Sequence, residues 1–154
     1  MSIRARYVHT NLIAKDWVSL ARFYERVFGC VRLPPERHYQ GKDLDRGTGL
    51  ENARLDGVHL RLPSQDREGP TLEIFSYSSL RERPPAAVNR PGYGHIAFEV
   101  DDVAASRQQI LKEGGAGLGA IVTLAVSEAS RVTWCYVTDP EGNMIELQSW
   151  SHDA

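Results

Sequence analysis

The feature that most constrains this 154-residue chain is that one pattern is written in it twice. His9-Thr10-Asn11-Leu12-Ile13-Ala14-Lys15-Asp16-Trp17 and His95-Ile96-Ala97-Phe98-Glu99-Val100-Asp101-Asp102-Val103 each place an aspartate seven positions after a histidine. The same offset of 86 sets Phe28-Gly29 against Gly114-Gly115, so strand, helix and closing glycine recur in register. In a duplicated module every residue has a counterpart against which its chemistry can be read.

Each copy opens strand then helix. Asp16 and Asp102 are suited to accept backbone N–H groups as N-caps, and a glycine after the last turn relieves the left-handed conformation that ends many helices. Trp17, Leu20, Tyr24, Val27 and Phe28 form one apolar stripe at helical spacing, as a helix lying on a sheet requires. The second helix has Val103, Ile110 and Leu111 on its apolar face and Ala104 and Ala105 for close contacts. Each copy closes on a strand carrying a glutamate, Thr71-Leu72-Glu73-Ile74-Phe75 and Met144-Ile145-Glu146-Leu147-Gln148.

His9 to Glu73 is 64 positions and His95 to Glu146 is 51, which leaves 13 extra residues in the first copy. The Gly- and charge-rich stretch Pro34 to Gly49 shows neither helical nor strand period, so it is expected to be a loop, either a lid or a surface insertion. The chain is thus read as a single domain over 1–154, with a first module at about 5–78, a Pro-containing linker at about 79–92 and a second module at about 93–150.

Strand side chains alternate between faces, so parity sorts them. Leu12, Leu72 and Ile74 oppose His9, Asn11 and Glu73, just as Ile96, Phe98, Ile145 and Leu147 oppose His95 and Glu146. The apolar face packs under the helices, which leaves His9, Glu73, His95 and Glu146 on the free face. Two imidazoles and two carboxylates offer an N2O2 set of net charge matched to a divalent cation, with two octahedral positions left for water or substrate oxygens. A single strand His or Glu is ordinarily a solvent-facing residue, but two repeat-related pairs of one parity are not explained that way.

Parity also places His59 and Arg61 on this face, as substrate-binding candidates, with Val58 and Leu60 opposite. Arg61 is either a carboxylate-gripping fork or a rim charge in water. Asn11 is either a substrate hydrogen-bonder or a structural amide. His38, in the loop, and His152, at the tail, read as solvated.

The formal net charge of -2 offers no broad attraction to nucleic acid or anionic membranes. No stretch approaches the roughly 20 apolar residues of a membrane span, and the opening residues lack a signal-peptide pattern, so a cytoplasmic location is expected. Cys30 and Cys135 belong to no CxxC pair and read as two reduced thiols used as small apolar side chains.

Gly94-His95-Ile96-Ala97-Phe98-Glu99-Val100-Asp101-Asp102, the late turn Asp139-Pro140-Glu141-Gly142-Asn143 before Ile145-Glu146-Leu147, and Asp16 with Phe23-Tyr24 and Phe28-Gly29 resemble the vicinal oxygen chelate superfamily over nearly the whole chain. That group includes glyoxalase I, methylmalonyl-CoA epimerase, extradiol dioxygenases, and fosfomycin and bleomycin resistance proteins. The resemblance implies an α+β fold of two βαβββ modules, forming an incomplete eight-stranded barrel around one divalent ion (Ni, Co, Zn, Mn or Fe), and a homodimer.

A complete set of His9, Glu73, His95 and Glu146 resembles glyoxalase I. It implies a lyase or isomerase that acts on a small α-oxygenated substrate through a chelated enediolate. Glu146, or Glu73 opposite it, would carry the proton, with Glu146 favoured by resemblance. Residues 126–131 lack the lysine- and glycine-rich approach associated with bacterial glutathione users, which leaves the thiol cosubstrate open. An extradiol-type dioxygenase and a non-catalytic small-molecule binding or resistance protein are the alternatives.

Overall fold

The computed structural model describes residues 2–152. The chain divides into two compact units, the first ending at Glu82 and the second beginning at Arg83. The first runs β1 (His9–Ile13), α1 (Trp17–Phe28), β2 (Val31–Gln40), α2 (Lys42–Thr48), β3 (Arg54–Arg61) and β4 (Thr71–Tyr77). The second runs β5 (Ile96–Glu99), α3 (Val103–Lys112), β6 (Ala116–Ala125), β7 (Ser130–Thr138) and β8 (Met144–His152). Their sheets have the same order, β1-β4-β3-β2 and β5-β8-β7-β6. In each, the opening strand lies parallel to the closing one and the other pairings are antiparallel. The protein is therefore α+β, built of two repeated βαβββ modules, with α2 added to the first.

Both helices start where the sequence says they should. Asp16 Oδ1 accepts from Ser19 N at 3.0 Å and Oδ2 from Ser19 Oγ at 2.7 Å, and these bonds hold the Asp16 carboxyl below its usual pKa. Asp102 Oδ1 accepts from Ala105 N at 2.9 Å. Such caps contribute about 1 kcal/mol each. Helix α1 stops at Gly29, whose φ of 68° is left-handed and whose N–H returns to Glu25 O, an arrangement that glycine adopts without steric cost.

Helix α1 buries Leu20, Ala21, Phe23 and Tyr24 on β3 and β4, where Val58, Leu60, Leu72 and Ile74 are sealed from solvent. Fully burying an aliphatic side chain of this size contributes about 1.5–3 kcal/mol, so this layer is what fixes β4 in place. Phe23 was absent from the expected stripe; it packs edge-on against Tyr24 and Phe28. On α3 the apolar face is narrower than expected: Val103 and Ile110 are buried, but Leu111 is exposed.

The stretch 34–49 is not the loop its composition suggests. Residues up to Gln40 belong to β2, which pairs with β3, and Lys42–Thr48 form α2. The register shifts between Leu33 and Arg37, at Pro34-Pro35, which have no N–H to give to a ladder. Strand β2 is a sheet edge, bonded through its backbone and burying little, so it needs no apolar alternation; edge strands commonly carry such charges and prolines. Helix α2 buries nothing. It is tied down by Asp45, whose carboxylate accepts from Asn52 N and Ala53 N at 3.0 and 2.7 Å. The extra length of the first module thus lies in two connections, residues 41–53 against 126–129 and 62–70 against 139–143.

The turn into β8 is organised by one buried carboxylate. Asp139 Oδ1 accepts from the backbone N–H groups of Glu141 and Asn143, both at 2.9 Å, and Oδ2 accepts from Asn143 Nδ2 at 2.7 Å. Arg83 Nη1 donates to Asn143 Oδ1 at 2.5 Å and completes that amide. This turn sets the register in which Glu146 follows.

Both cysteines are buried, Cys135 completely. Burial pushes the Cys30 thiol up to about 12, with Glu25 adding to the shift, and raises Cys135 as well. The thiolate is the reactive form. Native protein at pH 8 is accordingly expected to leave both thiols unmodified by an aromatic disulfide reagent and to release two equivalents only on unfolding; rapid native reaction would contradict this packing.

Candidate metal centre

In the first module Glu73 lies on β4 between two strands, paired in register with Asn11 on β1 and His59 on β3. Side chains facing one another across paired strands share a face, so three polar groups converge without any loop. Asn11 Nδ2 donates to Glu73 Oε1 at 2.8 Å. His59 Nε2 lies 2.7 Å from Glu73 Oε2, and His9 Nε2 lies 3.6 Å from Glu73 Oε1. Glu73 is only 9% exposed, and a carboxylate at that depth is costly unless its lone pairs are answered.

The His9 and His59 rings meet edge to face with centroids 5.6 Å apart. The Phe75 ring lies 6.2 Å from that of His59. Phe75 can lie there because its cross-strand partner is Gly57: a Cβ at position 57 would fall 2.1 Å from Ile74 O and 2.3 Å from Phe75 Cδ1. Any side chain at Gly57 would force β4 to move, and Glu73 is on β4. Burial of His59 disfavours its charged form and lowers its pKa, with Glu73 pulling the other way.

The second module repeats the frame with other residues. Glu146 on β8 is flanked in register by Ala97 on β5 and Tyr136 on β7. His95 Nε2 lies 2.8 Å from Glu146 Oε2. The Tyr136 ring sits 5.0 Å from that of His95 and 5.0 Å from that of Trp134.

Each module therefore brings its expected histidine to its expected glutamate. Asn11, expected either at the substrate or in a structural bond, is bonded to Glu73. His59, expected among the substrate groups, lies against the same carboxylate. Arg61 is half-buried at the end of β3, opposite Thr71. His38 is exposed, but its Nδ1 lies 2.6 Å from Asp56 Oδ1, and this bond is the main cause of a lowered Asp56 pKa.

Tyr136 escaped the sequence reading. The signal was present, because Tyr136 stands to Glu146 as His59 stands to Glu73, but connections of unequal length between the closing strands hide that equivalence until the ladders are counted.

The donors suit a divalent cation. His9, His59 and Glu73 each turn a ligand atom to within 4.8 Å of the others, a spacing that first-row ions accept from imidazole and carboxylate. A duplicated βαβββ chain thus carries a His–Glu pair at corresponding positions of each copy, His9 with Glu73 and His95, just before β5, with Glu146.

The comparisons with known proteins place the chain in a family. Residues 6–147 match the family model for the Glyoxalase/Bleomycin resistance protein/Dioxygenase superfamily, and the chain belongs to that superfamily. A glyoxalase family protein from Bacillus cereus superposes with a TM-score of 0.73 at 21% identity, covering 98% of this chain and 96% of that one. A glyoxylase/bleomycin resistance protein/dioxygenase domain from Frankia gives a TM-score of 0.60 at 15% identity, covering 96% and 98%. A glyoxalase I mutant from Zea mays gives 0.62 at 18% identity, covering 92% of this chain and 45% of that one. These likenesses establish the fold. No curated protein matches the sequence. Among the described residues no helix is long and apolar enough to cross a membrane.

Proposed function

We propose that this protein is a metal-dependent lyase or isomerase of the glyoxalase kind, acting on a small α-oxygenated substrate. The observation that carries the reading is the recurrence of one His–carboxylate pair at corresponding positions of both modules, His9 with Glu73 and His95 with Glu146. His9, Glu73, His95 and Glu146 are the donors that this reading gives to one divalent ion. A homodimer in the cytoplasm is the state this reading takes.

The ion, when bound, supplies Lewis-acid polarisation of two neighbouring substrate oxygens and so favours loss of a proton from the adjacent carbon. The chain supplies the base. Glu73 is held by Asn11 and His59, whereas Glu146 has His95 beside it and a side chain 20% exposed. The less tethered carboxylate is the better candidate to turn toward substrate and carry the proton between carbons. Glu73 then acts as a fixed anion, with Asn11 locking one of its oxygens.

The test begins with elemental analysis of protein purified without a histidine tag. One divalent ion per chain, with turnover of a methylglyoxal–thiol adduct or a related α-oxygenated substrate after reconstitution with Ni, Co, Mn, Fe or Zn, is the expected result. Protein that takes up no ion under any of these conditions would end the reading. Oxygen consumption with a catechol would assign the site to dioxygenation instead.

A further inference from the structure

Counting the two ladders outward from their glutamates shows that the modules are not equal. Beside Glu73 stand Asn11 and His59; at the same register beside Glu146 stand Ala97 and Tyr136. Two positions before the glutamate is Thr71 in one module and Met144 in the other. We propose that His59 is a third metal ligand, so that the first module holds a divalent cation through His9, His59 and Glu73 without donors from the second module. The proposal rests on the reading that His9 and Glu73 bind metal, and it adds a donor to that set.

Three features of the first module converge on it. His9 and His59 both turn Nε2 toward the Glu73 carboxylate, at 3.6 and 2.7 Å, and the three ligand atoms lie within 4.8 Å of one another. The far nitrogen of His59, Nδ1, lies 3.1 Å from Thr71 Oγ1; metal-bound imidazoles characteristically anchor their second nitrogen to an outer hydrogen-bonding group in this way. Asn11 donates to Glu73 Oε1, which orients the carboxylate so that Oε2 faces His59 and Oε1 faces His9. Ring contacts from His9 and from Phe75, seated over Gly57, hold the His59 plane.

The second module lacks each of these supports. Tyr136 offers a phenol in place of the imidazole, Ala97 offers no amide, and Met144 offers no hydroxyl. It can contribute His95 and Glu146, but it has no third imidazole or carboxylate at that register. Two imidazoles and one carboxylate from a single module also leave three positions of an octahedral ion for other groups. One further protein donor and two substrate oxygens fill those three positions, which leaves no place for Glu146 on the ion once substrate is bound.

The experiment uses the full chain and cobalt(II). The His95→Ala/Glu146→Gln double variant is expected to keep one cobalt per chain, and adding His59→Gln to it is expected to weaken binding at least tenfold. His59→Tyr, which installs the second module's residue, is expected to act like His59→Gln, with circular dichroism confirming that both fold. In cobalt-loaded wild type, proton NMR is expected to show paramagnetically shifted imidazole N–H signals, one of which disappears in His59→Gln. If the wild type binds cobalt but the double variant does not, or if His59→Gln changes neither affinity nor the shifted signals, the inference falls while the four-donor reading stands. Failure of the wild type to bind cobalt would overturn both.

Discussion

Glu146→Gln is expected to lower exchange of the substrate's carbon-bound proton with solvent by at least about 100-fold, within the 10²–10⁴-fold range typical of a positioned general base, while the protein stays folded and retains its ion. The reason is chemical and local. Glutamine keeps the shape of Glu146 and a carbonyl oxygen near His95 Nε2, which lies 2.8 Å from the native carboxylate, but an amide cannot take up a proton near neutral pH. Binding of the ion should suffer less, because His9, Glu73 and His95 remain. The measurement is deuterium incorporation from heavy water into substrate or product, with metal content determined on the same sample. Exchange at the wild-type rate would remove Glu146 from the proton-carrying role. Loss of exchange in the corresponding Glu73→Gln variant, with Glu146→Gln unaffected, would reverse the two assignments.

Asp139→Ala is expected to cost about 3 kcal/mol of stability, since hydrogen bonds to charged groups are worth about 1.5–3 kcal/mol each and neighbouring ones are not additive. Asp139 is 1% exposed, and its carboxylate accepts three hydrogen bonds from Glu141 and Asn143. The alanine variant would leave the buried Asn143 N–H and Nδ2 without their carboxylate acceptor. Urea unfolding should show a lower midpoint at unchanged slope, and a loss below about 1 kcal/mol would mean that the turn is held chiefly by other contacts, such as Arg83. Because β8 begins at Met144, directly after this turn, a weakened metal affinity in the same variant would show that the turn also positions Glu146.

The two mutations act on neighbouring parts of one sequence pattern, Asp139 through Glu146, yet only the second of these residues was legible as chemistry. Asp139 was visible as part of a family-like turn; its three bonds were not, since a carboxylate seven residues before a glutamate says nothing of which N–H groups it will meet. The helix caps were easier. Asp16 and Asp102 act over three residues, within a range that the sequence itself spells out. The stretch 34–49 was misread for the opposite reason: β2 exists because β3 is there to bond it, and an edge strand that buries almost nothing leaves no period of apolar residues to find.

Within the site the same division holds. The repeat singled out His9, Glu73, His95 and Glu146, and strand alternation put His59 and Asn11 on the face of Glu73, because both signals are local or copied. What the sequence alone could not assign was the distance from each of these to the carboxylate, since that depends on which strands become neighbours. The duplication, the helix borders and the apolar faces were determined by the order of residues. The partners of Glu73, the correspondence of His59 with Tyr136, and the space that Gly57 leaves for Phe75 were decided only by the ladders of the folded sheets, where connections of unequal length are closed and cross-strand register replaces sequence distance.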